Sequence, residues 1–252
     1  MINIAIMGAN GRMGKMVNEC ISERNDCTVV AGVDTFNKQY ADFPIYTTID
    51  EMKEKPDVII DYSNPASLES MLNYAEKNGT PIVIATTGYS DEQMARIKEA
   101  SKKIAIFFSW NMSLGINLLV DLSKKAAAFL GEQFDIEIVE KHHNQKLDAP
   151  SGTALMIANG INKEFDDSKE YIYERHSKRQ KREKKEIGIH SIRGGTIVGE
   201  HEVIFAGKDE VITISHSAAS RNVFAVGSVN AAVFIKDRSA GMYEMADVIK
   251  EM

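Results

Sequence analysis

Cysteine is nearly absent from this chain, with Cys20 and Cys27 the only two among 252 residues. Neither lies in a CxxC or a Cys/His metal pattern, so no metal site is expected and both read as buried thiols of a reducing cytoplasm. Long apolar runs are also missing, and none approaches the ~18 residues that a membrane-spanning helix needs. Met1 leads directly into Ile-Asn-Ile-Ala-Ile with no basic stretch ahead of it, so no signal peptide is expected. Nor is there an excess of positive charge. Thirty Lys and Arg against 36 Asp and Glu leave a net charge of −6, which gives no pull toward nucleic acid or anionic lipid. What is present is ordinary for a globular protein: 44% apolar and 26% charged residues, in a length that suits one large domain or two modest ones.

Apolar runs alternate with helix-period segments from the first residue onward. Ile2–Met7 reads as a buried strand, Arg12–Arg24 as a helix, and Cys27–Val33 and Asp57–Asp61 as further strands. Pro65–Asn78 reads as a helix with Pro near its start and Gly79 just past its end. Pro81–Ala85, Ser90–Ser101 and Ile104–Phe108 then give strand, helix, strand. Short apolar strands separated by helices imply an α/β fold with a Rossmann-like, doubly wound parallel sheet.

The pattern changes near Asn111. A helix over roughly Gly115–Leu130 leads to a strand at Asp135–Lys141, and a loop opens a helix near Thr153. Ile187–Ile192, His201–Ala206 and Val211–Ala218 follow as strands joined by Gly-containing turns, which implies a mixed or antiparallel sheet in a second, α+β domain. The last two stretches, Asn222–Phe234 and Gly241–Glu251, read as helices returning to the first domain. The expected domains are therefore 1–112 with 222–252, and 113–221. Asp166–Glu186 stands out, with 8 Lys/Arg and 6 Asp/Glu in 21 residues; it reads as a solvated loop, since no nucleic-acid motif accompanies it.

Two segments carry chemistry. The first is Gly8-Ala9-Asn10-Gly11-Arg12-Met13-Gly14, between the first strand and the first helix. Gly8 and Gly11 permit a tight turn and close backbone approach to a pyrophosphate, Gly14 lets the helix pack on the sheet, and the helix N-terminus faces the phosphate charge. Asp34 lies at the end of the second strand, 20 residues past Gly14, where an acid binds the adenine ribose hydroxyls. Ala85-Thr86-Thr87-Gly88 and Ser109-Trp110-Asn111-Met112 end strands at the same sheet edge, where ligands of such sheets bind.

The second segment is Glu140-Lys141-His142-His143-Asn144-Gln145-Lys146-Leu147-Asp148-Ala149-Pro150-Ser151-Gly152-Thr153-Ala154. Adjacent histidines at a strand end titrate near neutral pH, and Lys146 adds a cation or a proton donor. Pro-Ser-Gly-Thr opens a helix whose N–H groups and hydroxyls suit a carboxylate. Solvent-facing histidines and a plain helix cap are the alternative reading of the same residues. Metal binding is disfavoured, because neighbouring strand residues point to opposite faces.

The Glu-x-His-His-x-x-Lys-x-Asp-Ala-Pro-Ser-Gly-Thr-Ala stretch resembles the signature of the dihydrodipicolinate reductase family. The resemblance spans nearly the whole chain, through the glycine loop, Ala-Thr-Thr-Gly at 85–88, Asn-Met-Ser-Leu-Gly-Ile-Asn at 111–117, Glu-Ile-Gly-Ile-His-Ser-Ile-Arg-Gly-Gly at 186–195, and Arg221. It implies reduction of 4-hydroxy-tetrahydrodipicolinate, a small cyclic dicarboxylate, to tetrahydrodipicolinate by NADH or NADPH, in lysine and diaminopimelate biosynthesis. By position it implies His142 as proton donor and acceptor, Lys146 as proton donor, and His143, Gly152 and Thr153 as holders of the substrate carboxylates. Gly8, Ala9, Asn10, Gly11, Arg12, Met13, Asp34, Ala85, Thr86, Thr87, Ser109, Trp110, Asn111 and Met112 would line the cofactor. The resemblance further implies a cytoplasmic homotetramer built through the second domain's sheet. Because no Arg stands beside Asp34, NADH is expected to serve at least as well as NADPH. Two positions depart from the pattern: Asn230 replaces a basic residue and Trp110 a small one. Another two-domain nicotinamide oxidoreductase and a nucleotide-binding regulator without turnover are the rival readings; the His-His and Pro-Ser-Gly-Thr set argues against both.

Overall fold

The computed structural model describes residues 1–251. In chain order the elements begin with β1 (Ile2–Met7), α1 (Arg12–Ser22), β2 (Cys27–Val33), β3 (Ile45–Tyr46), β4 (Val58–Asp61), α2 (Leu68–Asn78), β5 (Ile82–Ile84), α3 (Asp91–Ala100) and β6 (Ala105–Phe108). They continue with α4 (Leu114–Leu130), β7 (Asp135–His142), α5 (Gly152–Lys163), β8 (Glu170–Ile172), β9 (Glu186–Arg193), β10 (Gly199–Ala206) and β11 (Val211–Ala218). α6 (Asn222–Ile235), β12 (Gly241–Tyr243) and α7 (Met245–Glu251) complete the described chain. Two compact units result: Met1–Ser113 with Asn222–Met252, and Leu114–Arg221.

The first unit holds a seven-stranded sheet in the order β12-β6-β5-β4-β1-β2-β3, parallel throughout. Its strands are apolar on both faces because helices cover both. One face, through Ala5, Met7, Ile59, Ile82 and Ile106, packs against Leu72 of α2 and Ile97 of α3. α1 and α6 pack together beside the other. Local signals end the helices where they should. Asn64 accepts from Ala66 N to open the turn into α2, and Gly79 closes that helix at φ +67°, a conformation that costs an L side chain ~1–2 kcal/mol. Ser90 and Gln93 form a reciprocal cap on α3.

The second unit is a mixed five-stranded sheet, β11-β10-β7-β9-β8, in which β7, β9 and β8 run parallel and β10 antiparallel to both its neighbours. Its core joins Ile136, Ile138, Ile187, Ile189, Val203 and Phe205 of one sheet face to Leu119 of α4 and Ile157 and Ile161 of α5. Strand alternation therefore decides which side chains of β7 face the helices: Ile136, Ile138, Glu140 and His142 are buried.

Two expectations need correction, and two short strands were not anticipated. Gly241–Glu251 is not one helix: Gly241–Tyr243 pairs with β6 as an edge strand, satisfying backbone groups that would otherwise be unpaired. The short strands β3 and β8 are too brief for an alternation pattern to reveal. Finally, 166–186 is more than a solvated loop. It contains β8, and several of its basic side chains are used internally: Arg182 reaches Asp135 (3.0 Å) and Glu137 (2.9 Å), while the buried Lys169 ammonium donates to Glu132 (3.2 Å) and Lys184 O (3.0 Å).

Candidate active site

In the first unit the carboxyl ends of β1, β2 and β4 meet at the glycine turn. Gly8 has φ +75°, and a Cβ there would sit 2.5 Å from Tyr62 O, so only glycine fits. A Cβ at Gly14 would meet Ala9 Cα at 2.8 Å, which is why α1 can seat close against the turn. Gly11 precedes α1 in an extended conformation with no side-chain cap. The leading N–H groups of the helix thus lack a side-chain acceptor, as an anion-binding helix start requires. Asp34 accepts from Asn10 N and Phe36 N, each at 3.0 Å. Its carboxylate therefore holds the glycine turn and the loop after β2 in fixed relation.

A cavity of about 330 Å³ opens here, lined by Gly8, Gly11, Asp34, Tyr62, Ser63 and Thr48 among others. It gathers Gly8, Gly11 and Asp34 of the expected cofactor residues and adds Thr35, Tyr62, Ser63 and Asn64, which sequence reasoning missed. The rule applied to the ends of β5 and β6 applies equally to the end of β4 and would have found the last three. Ala85–Thr87 follow β5 and Ser109–Met112 follow β6 at the same sheet edge, but they are not part of this cavity's lining. Ala9 and Met112 have buried side chains, so only their backbones can face a ligand. Trp110 is exposed and meets Phe108 edge-on at 5.1 Å. Ser109 Oγ donates to Asn111 O at 2.8 Å, which folds that loop on itself.

Asp61, the last residue of β4, is fully buried. Its carboxylate accepts from Ser63 N (3.0 Å), Ser63 Oγ and Tyr89 OH (3.1 Å), joining the loops after β4 and β5. Burial pushes its pKa up, against the pull of those donors. Asn230 also finds its explanation: it accepts from Arg24 Nη1 at 3.0 Å, while the same guanidinium pairs with Asp26 (2.8 and 2.6 Å).

In the second unit the conspicuous feature is Glu140, a carboxylate with no exposure at all. Arg193 donates to it through two nitrogens (2.8 and 2.7 Å), His142 Nδ1 lies at 2.6 Å, and Ser151 N donates at 3.1 Å. Burial works to raise this carboxyl, but hydrogen bonds from Arg193, Ser191 and His142 outweigh it and hold the pKa at about 2. His142 is pushed down by burial, helped by the nearby charges of Lys146 and Arg193, against the opposing pull of Glu140. The lowered pKa favours the neutral ring, whose Nδ1 lies against the Glu140 carboxylate.

The loop after β7 then turns back. Lys146 N donates to His143 O at 3.1 Å, and the Lys146 ammonium pairs with Asp148 at 2.8 Å. Ser151, extended and buried, caps α5 by accepting from Ala154 N at 3.1 Å. Gly152 and Thr153 form the first turn of that helix, where backbone N–H groups point outward. One strand end, one loop and one helix start thus bring His142, His143, Lys146, Gly152 and Thr153 within a single stretch, tied together by Glu140. Sequence reasoning missed His201, a buried β10 side chain whose Nε2 lies 3.3 Å from Ser151 Oγ and whose ring meets His142 edge-on at 5.2 Å.

Family models described as "Dihydrodipicolinate reductase, N-terminus" and "Dihydrodipicolinate reductase, C-terminus" match residues 2–112 and 115–249. The chain belongs to the dihydrodipicolinate reductase family. Among its relatives, the 4-hydroxy-tetrahydrodipicolinate reductase of Caldanaerobacter subterraneus subsp. tengcongensis is 54% identical over 100% of this chain and 99% of its own. That of Clostridium tetani is 49% identical over 97% and 96%. A solved structure, dipicolinate-bound dihydrodipicolinate reductase from Paenisporosarcina sp. TG-14, superposes with a TM-score of 0.82 at 25% identity, covering 97% of both chains. The family is one of pyridine-nucleotide-dependent reductases; its N-terminal match covers β1–β6 of the Rossmann-like sheet, and its C-terminal match covers the separate mixed sheet. No helix among the described residues is long and apolar enough to cross a membrane.

Proposed function

We propose that the chain reduces 4-hydroxy-tetrahydrodipicolinate to tetrahydrodipicolinate with NADH or NADPH, as its closely similar relatives are named for doing. The observation that carries this reading is the buried Glu140–His142 pair followed by the Ser151-capped start of α5, a proton site beside a carboxylate site.

The glycine turn fits a dinucleotide: Gly8 leaves the space that a Cβ would fill, and α1 offers N–H groups without a side-chain cap. Gly8–Met13 would hold the pyrophosphate, Asp34 the adenine ribose, and the loops 85–87 and 109–112 the remainder. When bound, the reduced nicotinamide supplies a hydride to the substrate ring.

The protein's own residues manage the proton and the carboxylates. Glu140 fixes the His142 ring through Nδ1, so that Nε2 takes up and delivers the proton. Lys146 supplies a second proton donor, with its ammonium held by Asp148. His143, Gly152 N and Thr153 hold the substrate carboxylates, supported by the positive end of the α5 dipole. Residues 1–112 with 222–252 serve the nucleotide; 113–221 serve the substrate and assembly. Val139, Ile192, Ile204 and Thr213 lie on the sheet face opposite the one that α4 and α5 cover, and copies pack through that face as a homotetramer in the cytoplasm. The test is oxidation of NADH or NADPH, followed by absorbance, in the presence of enzymatically generated substrate. Oxidation that depends on substrate is the expected result; its absence with both cofactors would refute the reading.

A further inference from the structure

His201 is only 3% exposed, yet its Nδ1 has no hydrogen-bond partner among the described residues. It lies on β10 opposite Glu140 of β7 and opposite His216 of β11, with the His142 ring against its face or edge at 5.2 Å. Ser151 Oγ lies 3.3 Å from its Nε2.

Two neutral tautomers are available to the ring. With the proton on Nδ1, a buried N–H donor is stranded, and Nε2 must accept the Ser151 hydroxyl proton. With the proton on Nε2, the unpartnered Nδ1 is a bare acceptor, and Nε2–H donates to Ser151 Oγ. Buried N–H groups without acceptors are rarer than under-used acceptors, which selects the second tautomer. Ser151 Oγ then receives two donors, Ala154 N–H at 3.1 Å and His201 Nε2–H. A hydroxyl has two acceptor sites and one proton. Both acceptor sites are filled, which leaves the single hydroxyl proton for a third partner.

We propose that His201 is a positioning residue: by donating Nε2–H to Ser151 Oγ it turns the Ser151 hydroxyl proton toward an anionic oxygen of the substrate. This rests on the reading of the α5 start as the carboxylate site. His201 touches no substrate itself and acts through Ser151. Burial first, and then the nearby His142, hold its pKa down to about 4, so the neutral ring persists through the physiological range.

The test uses the full-length enzyme saturated with NADH and dipicolinate as the titrant. His201→Phe keeps the ring volume and removes the donor; it should weaken dipicolinate binding about three- to tenfold and leave NADH affinity unchanged. His201→Gln places an N–H donor near the Nε2 position and should restore binding to within about twofold. Ser151→Ala should weaken binding as much as His201→Phe, and the double variant no further, because the two act as one unit. Equal loss in the Phe and Gln variants, or additive loss in the double variant, overturns the proposal in favour of packing. Long-range proton–nitrogen spectroscopy of the wild type reads the tautomer without any substitution: Nε2–H is expected, and Nδ1–H overturns the proposal even where a variant does not fold. Thr153→Val separates the two levels. If it leaves dipicolinate binding intact, the carboxylate site is misplaced and the inference falls with it; if it weakens binding while His201→Phe does not, the inference alone falls.

Discussion

Replacing Glu140 with Gln removes the charge that the second unit's polar core is built around, and it should be felt in both stability and turnover. The wild-type carboxyl is held at about 2 instead of the ordinary 4.5. At ~1.4 kcal/mol for each tenfold change in proton affinity, this amounts to roughly 3 kcal/mol of stability at neutral pH. Gln keeps the shape but turns an amide N–H toward Arg193 or His142, both of which are donors here. Breaking one side of such a buried pair typically costs ~3–5 kcal/mol. For a chain of this length, 3 kcal/mol corresponds to a fall in Tm of roughly 6–12 °C. The pH dependence has a fixed sign. A depressed carboxyl stabilises above its unfolded value and loses that contribution as pH falls through the folded one. The stability gap between wild type and variant should therefore narrow between about pH 4.5 and pH 2.

The same substitution acts on His142, whose pKa Glu140 props up against burial, Lys146 and Arg193. A bare charge pair ~4 Å apart at an effective dielectric of ~20 is worth about 4 kcal/mol. Arg193 shares the Glu140 charge, so only part of this acts on His142. If protonated His142 delivers the proton, kcat falls as pH rises, and in Glu140→Gln this limb should lie further to the acid side, because the group that raises the His142 pKa is gone. Two measurements decide it: kcat against pH at saturating cofactor, and thermal unfolding at several pH values. A limb that stays in place or moves to alkaline pH, or a Tm gap that does not narrow on acidification, refutes the reasoning.

Other changes probe the remaining parts. His142→Gln should lower kcat by ~10²–10⁴-fold while the NADH dissociation constant, read by fluorescence titration, stays near wild type; turnover within about threefold of wild type removes His142 from the chemistry. Gly8→Ala forces a side chain into φ +75° with its Cβ 2.5 Å from Tyr62 O, so it should cost at least ~1–2 kcal/mol and weaken NADH binding. Unchanged binding would show that the glycine turn does not cradle the cofactor. NADH should serve at least as well as NADPH: a 2′-phosphate ~4 Å from Asp34 is repelled by up to about 4 kcal/mol before solvent screening, and a measured kcat/KM preference for NADPH above about tenfold would defeat that assignment.

The parallel sheet was legible because its strands are buried on both faces and read as continuous apolar runs, with Gly8, Gly11, Gly14 and Asp34 in order around the first helix. The mixed sheet was legible only in outline. Its strands alternate, so composition shows that they exist, while the order β11-β10-β7-β9-β8 depends on long-range pairing that no local pattern carries. The site followed the same division. His142, His143, Lys146 and the Ser151–Thr153 turn are neighbours in sequence and could be read together. Arg193 and His201 reach the same place from other strands, 53 residues from Glu140 and 50 from Ser151 respectively. Glu140 stood in the motif, but its complete burial, which makes it the anchor of the site, follows from strand alternation within the folded sheet.

Three carboxylates show one physical device used at three strand ends. Asp34 after β2 accepts from Asn10 N and Phe36 N, Asp61 at the end of β4 accepts from Ser63 N, and Glu140 near the end of β7 accepts from Ser151 N. In each case an ionisable side chain fixes the backbone of a loop near the carboxyl end of its strand. Backbone donors favour the ionised form and lower its pKa, whereas burial opposes them. The balance differs by place. At Glu140 a cation joins the donors and the pKa falls to about 2; at Asp61 the donors are neutral and burial wins, so the pKa rises. Removing such a carboxylate therefore loosens a loop as well as deleting a charge. Ligand affinity and stability should fall together at these three positions, whereas at His142 or Thr153, to which the proposed mechanism gives substrate roles, affinity or turnover should fall without a matching loss of stability.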